Sequence, residues 1–307
     1  MKEFRLKNAN HKAVVFVALG ANLLIALSKL LVFFFTGSSS MFSEAIHSFA
    51  DTGNQILLLL GMKQAKKKAD ALHQFGYGQE QFFWAFMVAI MLFTLGGIYS
   101  IYEGIHRVMH KEPIENAYLA IGLLLFAMVM EGISFLKARK ELNKIKGKYG
   151  IYEFLEKSFS VELIVVFFED LAALLGLTIA LISVLLSHYT GNPIFDGIGS
   201  ILIGLLLCLI AFILGREMKS LIIGEAIPKE IENFIKQTFL KKQGVLKIAD
   251  FKSMVLGENS MLVAMEVVFE KNKTAEEIRE IIDACEREIM EKYPQVKNVY
   301  VEVRIKE

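Results

Sequence analysis

The sequence predicts an α-helical integral membrane protein: a six-helix transmembrane bundle over residues 1–216, followed by a small α+β cytoplasmic domain over residues 217–307. Two observations predict it. Up to about residue 215 the chain consists of apolar runs long enough to cross a bilayer, and beyond it amphipathic helices alternate with strands. Of 307 residues, 54% are hydrophobic and 22% charged, against about 45–50% and about 25% in soluble domains. The mean hydropathy of +0.45 understates the excess, because that excess is confined to the first two thirds of the chain.

A bilayer core takes about 20 apolar residues per helix. Six stretches qualify, near Ala13–Phe35, Met41–Met62, Phe82–Tyr102, Ala117–Leu136, Phe159–Ser187 and Pro193–Leu214. The start, MKEFRLKNANHK, is basic, but the run after it exceeds a signal-peptide core and lacks a small-residue cleavage site. A retained membrane anchor is expected there. Thr36-Gly37-Ser38-Ser39-Ser40 leaves room only for a tight turn, so the first two spans form a hairpin; Gly191-Asn192-Pro193 turns the chain in the same way before the sixth. An even number of spans puts both termini on one side.

Lysine and arginine choose that side. Lys2, Arg5, Lys7 and Lys12 precede the first span, and Lys63, Lys66, Lys67 and Lys68 follow the second. Lys137, Arg139, Lys140, Lys144, Lys146, Lys148 and Lys157 fill the fourth loop, whereas the third has only Arg107 and Lys111 and the other two have none. Both termini are therefore expected on the cytoplasmic side or its topological equivalent. The lysine-rich fourth loop, with Tyr152 and Phe154, is expected to lie at the anionic lipid surface.

Past Glu217 the pattern becomes that of a soluble domain. Pro228–Lys241 has a helical period with proline at its start. Ile248–Leu256 and Met261–Glu270 alternate as strands around the turn Gly257-Glu258-Asn259. Thr274–Tyr293 is a helix opened by Thr274 with Glu277 three residues on, a capping box. Val296–Ile305 closes as a strand. The order αββαβ predicts a ferredoxin-like open-faced sandwich, two helices on one face of three strands. Its uncovered face and edge invite self-association.

Several classes are excluded or disfavoured. Two cysteines rule out a disulfide framework or a cysteine-built zinc site. A net charge of +1 without a basic, aromatic-studded stripe gives no sign of nucleic acid. No HExxH, nucleophile elbow or P-loop suggests an enzyme, and no cofactor is implied.

Ionisable side chains inside a membrane cost at least about 2.5–3.5 kcal/mol each at the helix centre and mark function by default. Glu44, His47 and Asp51 in SEAIHSFADTGNQ recur at three and four residues, so they form one stripe of the second span, continued by Asn54 and Gln55. Glu169 and Asp170 sit mid-way along the fifth span, with Glu162 one to two turns earlier. Glu131 and Asp196 lie nearer the ends of the fourth and sixth. Histidine and aspartate one turn apart, joined by oxygens from another helix, supply the donors a divalent cation needs. Facing carboxylates without a cation take up protons in a low dielectric, and metal binding displaces them. One set of residues thus provides both a metal site and coupling to protons.

With SEAIHSFADTGNQ, HQFGYGQEQF, EDLAALLG, GNPIFDGIGS and EREIMEKYPQVKNVYVEV in this order, the chain resembles the cation diffusion facilitator family of zinc transporters, and most closely its zinc transporter 9 branch. The resemblance covers nearly the whole chain. It implies a homodimeric antiporter that moves zinc, or a related divalent ion, out of the cytosol in exchange for protons; alternating access is the expected mechanism. The family's tetrahedral site takes two residues from each of the second and fifth spans. His47 and Asp51 match the first pair and Asp170 the aspartate of the second. The fourth ligand falls on Val166, which cannot bind metal; Glu169, on a shared face with 166 and 170, is expected to replace it. Such an oxygen-rich set also suits manganese and iron(II), an alternative cargo.

Asp70 and His73 match a secondary metal site of some relatives, but its further histidine is Tyr77 here, so His73 is weighed against a role as a loop anchor. None of the six histidines falls in the C-terminal domain, which is expected to hold no metal cluster and to serve as a dimer contact. His106 and His110 are read as interfacial. A plasma or inner membrane is the expected location. The alternative of another class is a metal-sensing or scaffolding membrane protein with little flux.

Overall fold

The computed structural model describes residues 11–111, 114, 116–146 and 161–305. The N-terminal basic cluster before His11 and the fourth-loop residues 147–160, with Tyr152 and Phe154, lie outside them. Six long helical segments run in order: α1 (His11–Thr36); α2 (Ser39–Ala65); α3 (Glu80–Met91), continued through a π-helical stretch Leu92–Ile98 into α4 (Tyr99–His110); α5 (Ala117–Lys146); α6 (Val161–Thr190); and α7 (Ile194–Ile223). After them come α8 (Lys229–Leu240), β1 (Val245–Gly257), β2 (Ser260–Phe269), α9 (Ala275–Lys292) and β3 (Val296–Ile305).

Among the described residues, four of these helical stretches are long and apolar enough to cross a membrane: Glu80–His110, Ala117–Leu136, Val165–Thr190 and Ile194–Ile223. A shorter apolar stretch, Leu23–Thr36, belongs to α1. In α2 the cause is polarity: its 27 residues suffice in length, but Ser43, Glu44, His47, Ser48 and Asn54 are buried among the neighbouring helices. A helix that hides its polar side inside protein can expose an apolar one to lipid.

The chain forms two compact units. One comprises Met1–Leu59, Trp84–Tyr149 and Glu162–Arg216; the other comprises Leu60–Phe83, Gly150–Val161 and Glu217–Glu307. The connection between α2 and α3 falls in the second unit.

In the helical unit, α4 and α7 cross backbone to backbone. A Cβ added at Gly104 would stand 2.6 Å from the carbonyl of Gly197, and one at Gly204 would stand 2.7 Å from that of Gly97. Gly97 and Gly104 are seven residues apart, as are Gly197 and Gly204, so each pair lies on one helical face. Where lipid removes the hydrophobic drive for helix association, such close approach lets dispersion and backbone contacts hold the pair. Gly104→Val should lower stability in detergent by about 3 kcal/mol, the upper range for overpacking. Gly122→Val on α5, where an added Cβ meets nothing within 4 Å, is the control and should melt with the parent. Equal melting of Gly104→Val and parent would refute the close crossing.

In the C-terminal unit the sheet order is β1-β2-β3, with β1 antiparallel and β3 parallel to β2. The parallel pair requires a crossover, which α9 supplies. Thr274 caps α9, its hydroxyl accepting from the Glu277 N–H while the Glu277 carboxylate accepts from the Thr274 N–H. Met261, Val263, Met265 and Val267 alternate as the buried face of β2. They share the core with Ile231, Ile235 and Phe239 of α8 and Ile278, Cys285 and Ile289 of α9. Tyr300, Val303 and Ile305 of the edge strand β3 are exposed.

Candidate metal-binding site

The start of α2 is pinned by a residue from another helix. Asp196, in the first turn of α7, accepts the Ser39 N–H at 2.7 Å and the Ser40 N–H at 3.3 Å. It also accepts the Ser38 hydroxyl at 2.8 Å and the Ser39 hydroxyl at 3.1 Å. A carboxylate there satisfies orphan donors and meets the positive end of the helix dipole. The three serines, read from sequence as a turn, are thus a capped helix start. Asn116 donates to the Phe35 carbonyl at 3.3 Å and Arg107 donates to that of Gly37, so the end of α1 is satisfied as well.

From this fixed end the polar stripe runs down α2. The Ser43 hydroxyl pairs with that of Ser200 on α7. Glu44 receives the Lys29 ammonium of α1 at 3.1 Å. One turn on, His47 Nδ1 lies 3.6 Å from Asp51 Oδ1, close but beyond a hydrogen bond. A turn further, Asn54 donates to Glu169 Oε1 of α6 at 2.7 Å, joining the second and fifth spans. Asp51 lies within electrostatic range of Glu169, Glu131, Lys29 and Glu44.

Asp170 turns elsewhere. It accepts the Ser134 hydroxyl of α5 at 3.3 Å and has Glu131 as its charged neighbour. Successive residues of a helix point about 100° apart, so Glu169 and Asp170 cannot both face α2 squarely. Asn54 thus links the α2 stripe to Glu169, whereas Asp170 is bonded to Ser134 of α5. Val166, expected to share a face with Glu169, is 37% exposed, whereas Glu169 is buried.

Glu44 Oε1, both ring nitrogens of His47, Asp51 Oδ1 and Asn54 Oδ1 are buried without a hydrogen-bond partner. Buried polar atoms are nearly always paired in native proteins. The five atoms lie along one stripe of α2. Among the described residues, however, no group of three or more His, Cys, Asp or Glu side chains is arranged to hold a metal ion.

Sequence reasoning missed Lys29, fully buried in the apolar run LLIALSKLLVFFF. The signal was present: the rule that flags an acid within a span flags a lysine equally. Glu131, placed by the sequence near a span end, is an electrostatic neighbour of Asp51 and Asp170.

In the α2–α3 connection, Asp70 forms a turn. Its Oδ1 accepts the N–H groups of Leu72 at 2.9 Å and His73 at 2.8 Å, and Oδ2 accepts the Tyr77 hydroxyl at 2.6 Å. The His73 ring stacks near that of Tyr77 at 4.2 Å. A metal ion at Asp70 and His73 would compete with these bonds. In the same unit the loop meets the β1–β2 turn, where a Cβ on Gly78 would overlap the Leu256 carbonyl. The Tyr77 hydrogen bond, and after it the His73 N–H, hold the Asp70 carboxyl below the usual carboxylate range. A lowered folded value means the turn is stabilised above the unfolded carboxylate pKa of about 3.9 and loses that support as pH falls through the folded value. Tyr77→Phe should move the Asp70 midpoint upward in a carboxyl-carbon NMR titration; an unmoved midpoint would exclude Tyr77 as the cause. His106 and His110 stack ring on ring at 4.0 Å along α4.

These features define a class: a helical membrane protein with buried acids and an imidazole within its helices, followed by a small α+β domain. The chain belongs to the cation efflux family. Residues 15–223 match its transmembrane domain and residues 227–304 its cytoplasmic domain. It is 30% identical to the mitochondrial proton-coupled zinc antiporter SLC30A9 of Xenopus laevis over 94% of this chain and 59% of that protein. It is 32% identical to metal tolerance protein C4 of Arabidopsis thaliana over 88% of this chain and 59% of that protein. With the uncharacterized transporter MJ0449 of Methanocaldococcus jannaschii it shares 24% identity over 92% of this chain and 94% of that protein. The chain thus spans 59% of the length of each of the first two relatives.

Proposed function

We propose that this chain is a proton-coupled antiporter that exports a divalent metal ion, zinc in the first place, by alternating access. The observation that carries the reading is the α2 stripe whose His47 nitrogens and Asp51 Oδ1 are buried without partners, joined through Asn54 to Glu169 of α6. His47, Asp51 and Glu169 take the ion, and Asp170 completes the set when α6 turns relative to α2. Protons replace the ion on the same carboxylates when it leaves. The chemistry is binding and exchange, with no covalent step and no resident cofactor. The name of the frog relative, a proton-coupled zinc antiporter, supports this reading.

One imidazole among up to three carboxylates makes a hard site, which favours manganese or iron(II) as the second reading. We further infer a homodimer joined through the C-terminal domain, whose profile match is to the cytoplasmic domain of the same family. Lysine-rich loops support cytoplasmic termini. A plasma or inner membrane is our reading of location, although the frog relative is named mitochondrial. In proteoliposomes carrying zinc- and pH-sensitive dyes, an imposed zinc gradient should drive zinc uptake with opposite proton movement. Binding of zinc without flux would replace this reading with that of a metal sensor.

A further inference from the structure

Lys29 is fully buried, and its ammonium donates to Glu44 Oε2 at 3.1 Å and to Ser48 Oγ at 2.8 Å. The other oxygen of Glu44 has no partner and faces Gly176 of α6, where an added Cβ would come within 2.5 Å of it. Glu44 therefore spends its charge on Lys29, although it shares the stripe of His47 and Asp51. The same ammonium is an electrostatic neighbour of His47, Asp51 and Glu131. A lysine inside a span costs as much as an acid there, so a purely structural α1–α2 contact would be better made by apolar residues.

We propose that Lys29 is a specificity-determining counter-ion of the transport site: clamped on Glu44 and Ser48, it withholds Glu44 from the cation and holds down the affinity of the His47–Asp51 seam for a dication. The inference rests on the transport reading above. Its physical basis is charge. A fixed cation beside the site repels a dication twice as strongly as it repels a proton, and in a partly buried setting that repulsion is weakly screened. Lys29 thus opposes tight retention of metal, which an exporter must release.

Zinc titration calorimetry on the purified full chain in detergent separates the possibilities. Lys29→Met should tighten zinc binding about tenfold or more, because it removes the repelling charge and releases Glu44. Glu44→Gln should weaken binding about tenfold, because the ammonium is left uncompensated beside the seam. Lys29→Met/Glu44→Gln, with both charges gone, should return to within about threefold of the parent, as coupled neighbours do. A merely structural role gives no opposite-signed pair. Shifts in the same direction, or both single variants within about twofold of the parent, would overturn the proposal. Should Lys29→Met fail to fold, Lys29→Gln, which also removes the charge, takes its place with the same expected sign. Asp51→Ala is the separate control: if zinc binds the parent and Asp51→Ala equally, the transport site itself is misassigned.

Discussion

Asp51→Ala is expected to abolish metal-driven proton movement in proteoliposomes. Asp51 Oδ1 is buried, has no hydrogen-bond partner and lies 3.6 Å from His47 Nδ1, so the two can close on one ion with little rearrangement. Removing the carboxylate takes away a ligand and, with it, a proton carrier. Loss of an outer-shell partner already costs about 10–100-fold in metal affinity or activity, so loss of a ligand should cost more. Asp170→Ala is expected to abolish exchange as well, through a different step. Asp170 accepts from Ser134, and under the proposed mechanism it joins the set only in the ion-bearing arrangement. Zinc affinity in a binding assay should therefore fall further in Asp51→Ala than in Asp170→Ala. Exchange retained in Asp51→Ala would refute the site.

The second large effect is on stability. Asp196→Ala should destabilise the protein by about 3–5 kcal/mol, the range for removing one partner of a buried charged arrangement. Asp196 is fully buried and holds two backbone N–H groups and two hydroxyls at the start of α2. Each hydrogen bond to a charged acceptor contributes about 1.5–3 kcal/mol, and unmade ones carry a desolvation cost. Asp196→Asn keeps one acceptor oxygen and should lose less. Thermal unfolding in detergent gives the order parent, Asn, Ala. Because α2 carries the stripe, Asp196→Ala should also reduce flux in step with its folded fraction. An Ala variant that melts with the parent would mean that Asp196 does not cap α2.

Much of this molecule is legible along the chain, because the information is local. Spans announce themselves by apolar length, strands of the small domain by alternation, and α9 by Thr274 and Glu277 three residues apart. The stripe Glu44–His47–Asp51–Asn54 also follows from spacing alone, since a helix places those positions on one side whatever surrounds it. Which of positions 166, 169 and 170 meets a neighbouring helix is illegible for the opposite reason: how a face is rotated against its neighbours is not a local property, and Val166 is exposed while Glu169 is buried.

By itself the sequence determined that acids and an imidazole lie within apolar spans, and that such groups must find partners there. Only the tertiary structure decided which partners: Glu169 for Asn54, Ser134 for Asp170, Lys29 for Glu44 and Asp196 for the serines. Those pairs join residues 15 to 158 positions apart. They depend on how each helix is rotated against its neighbours. Periodicity sets which residues share a face, but the packing of neighbouring helices sets where that face points.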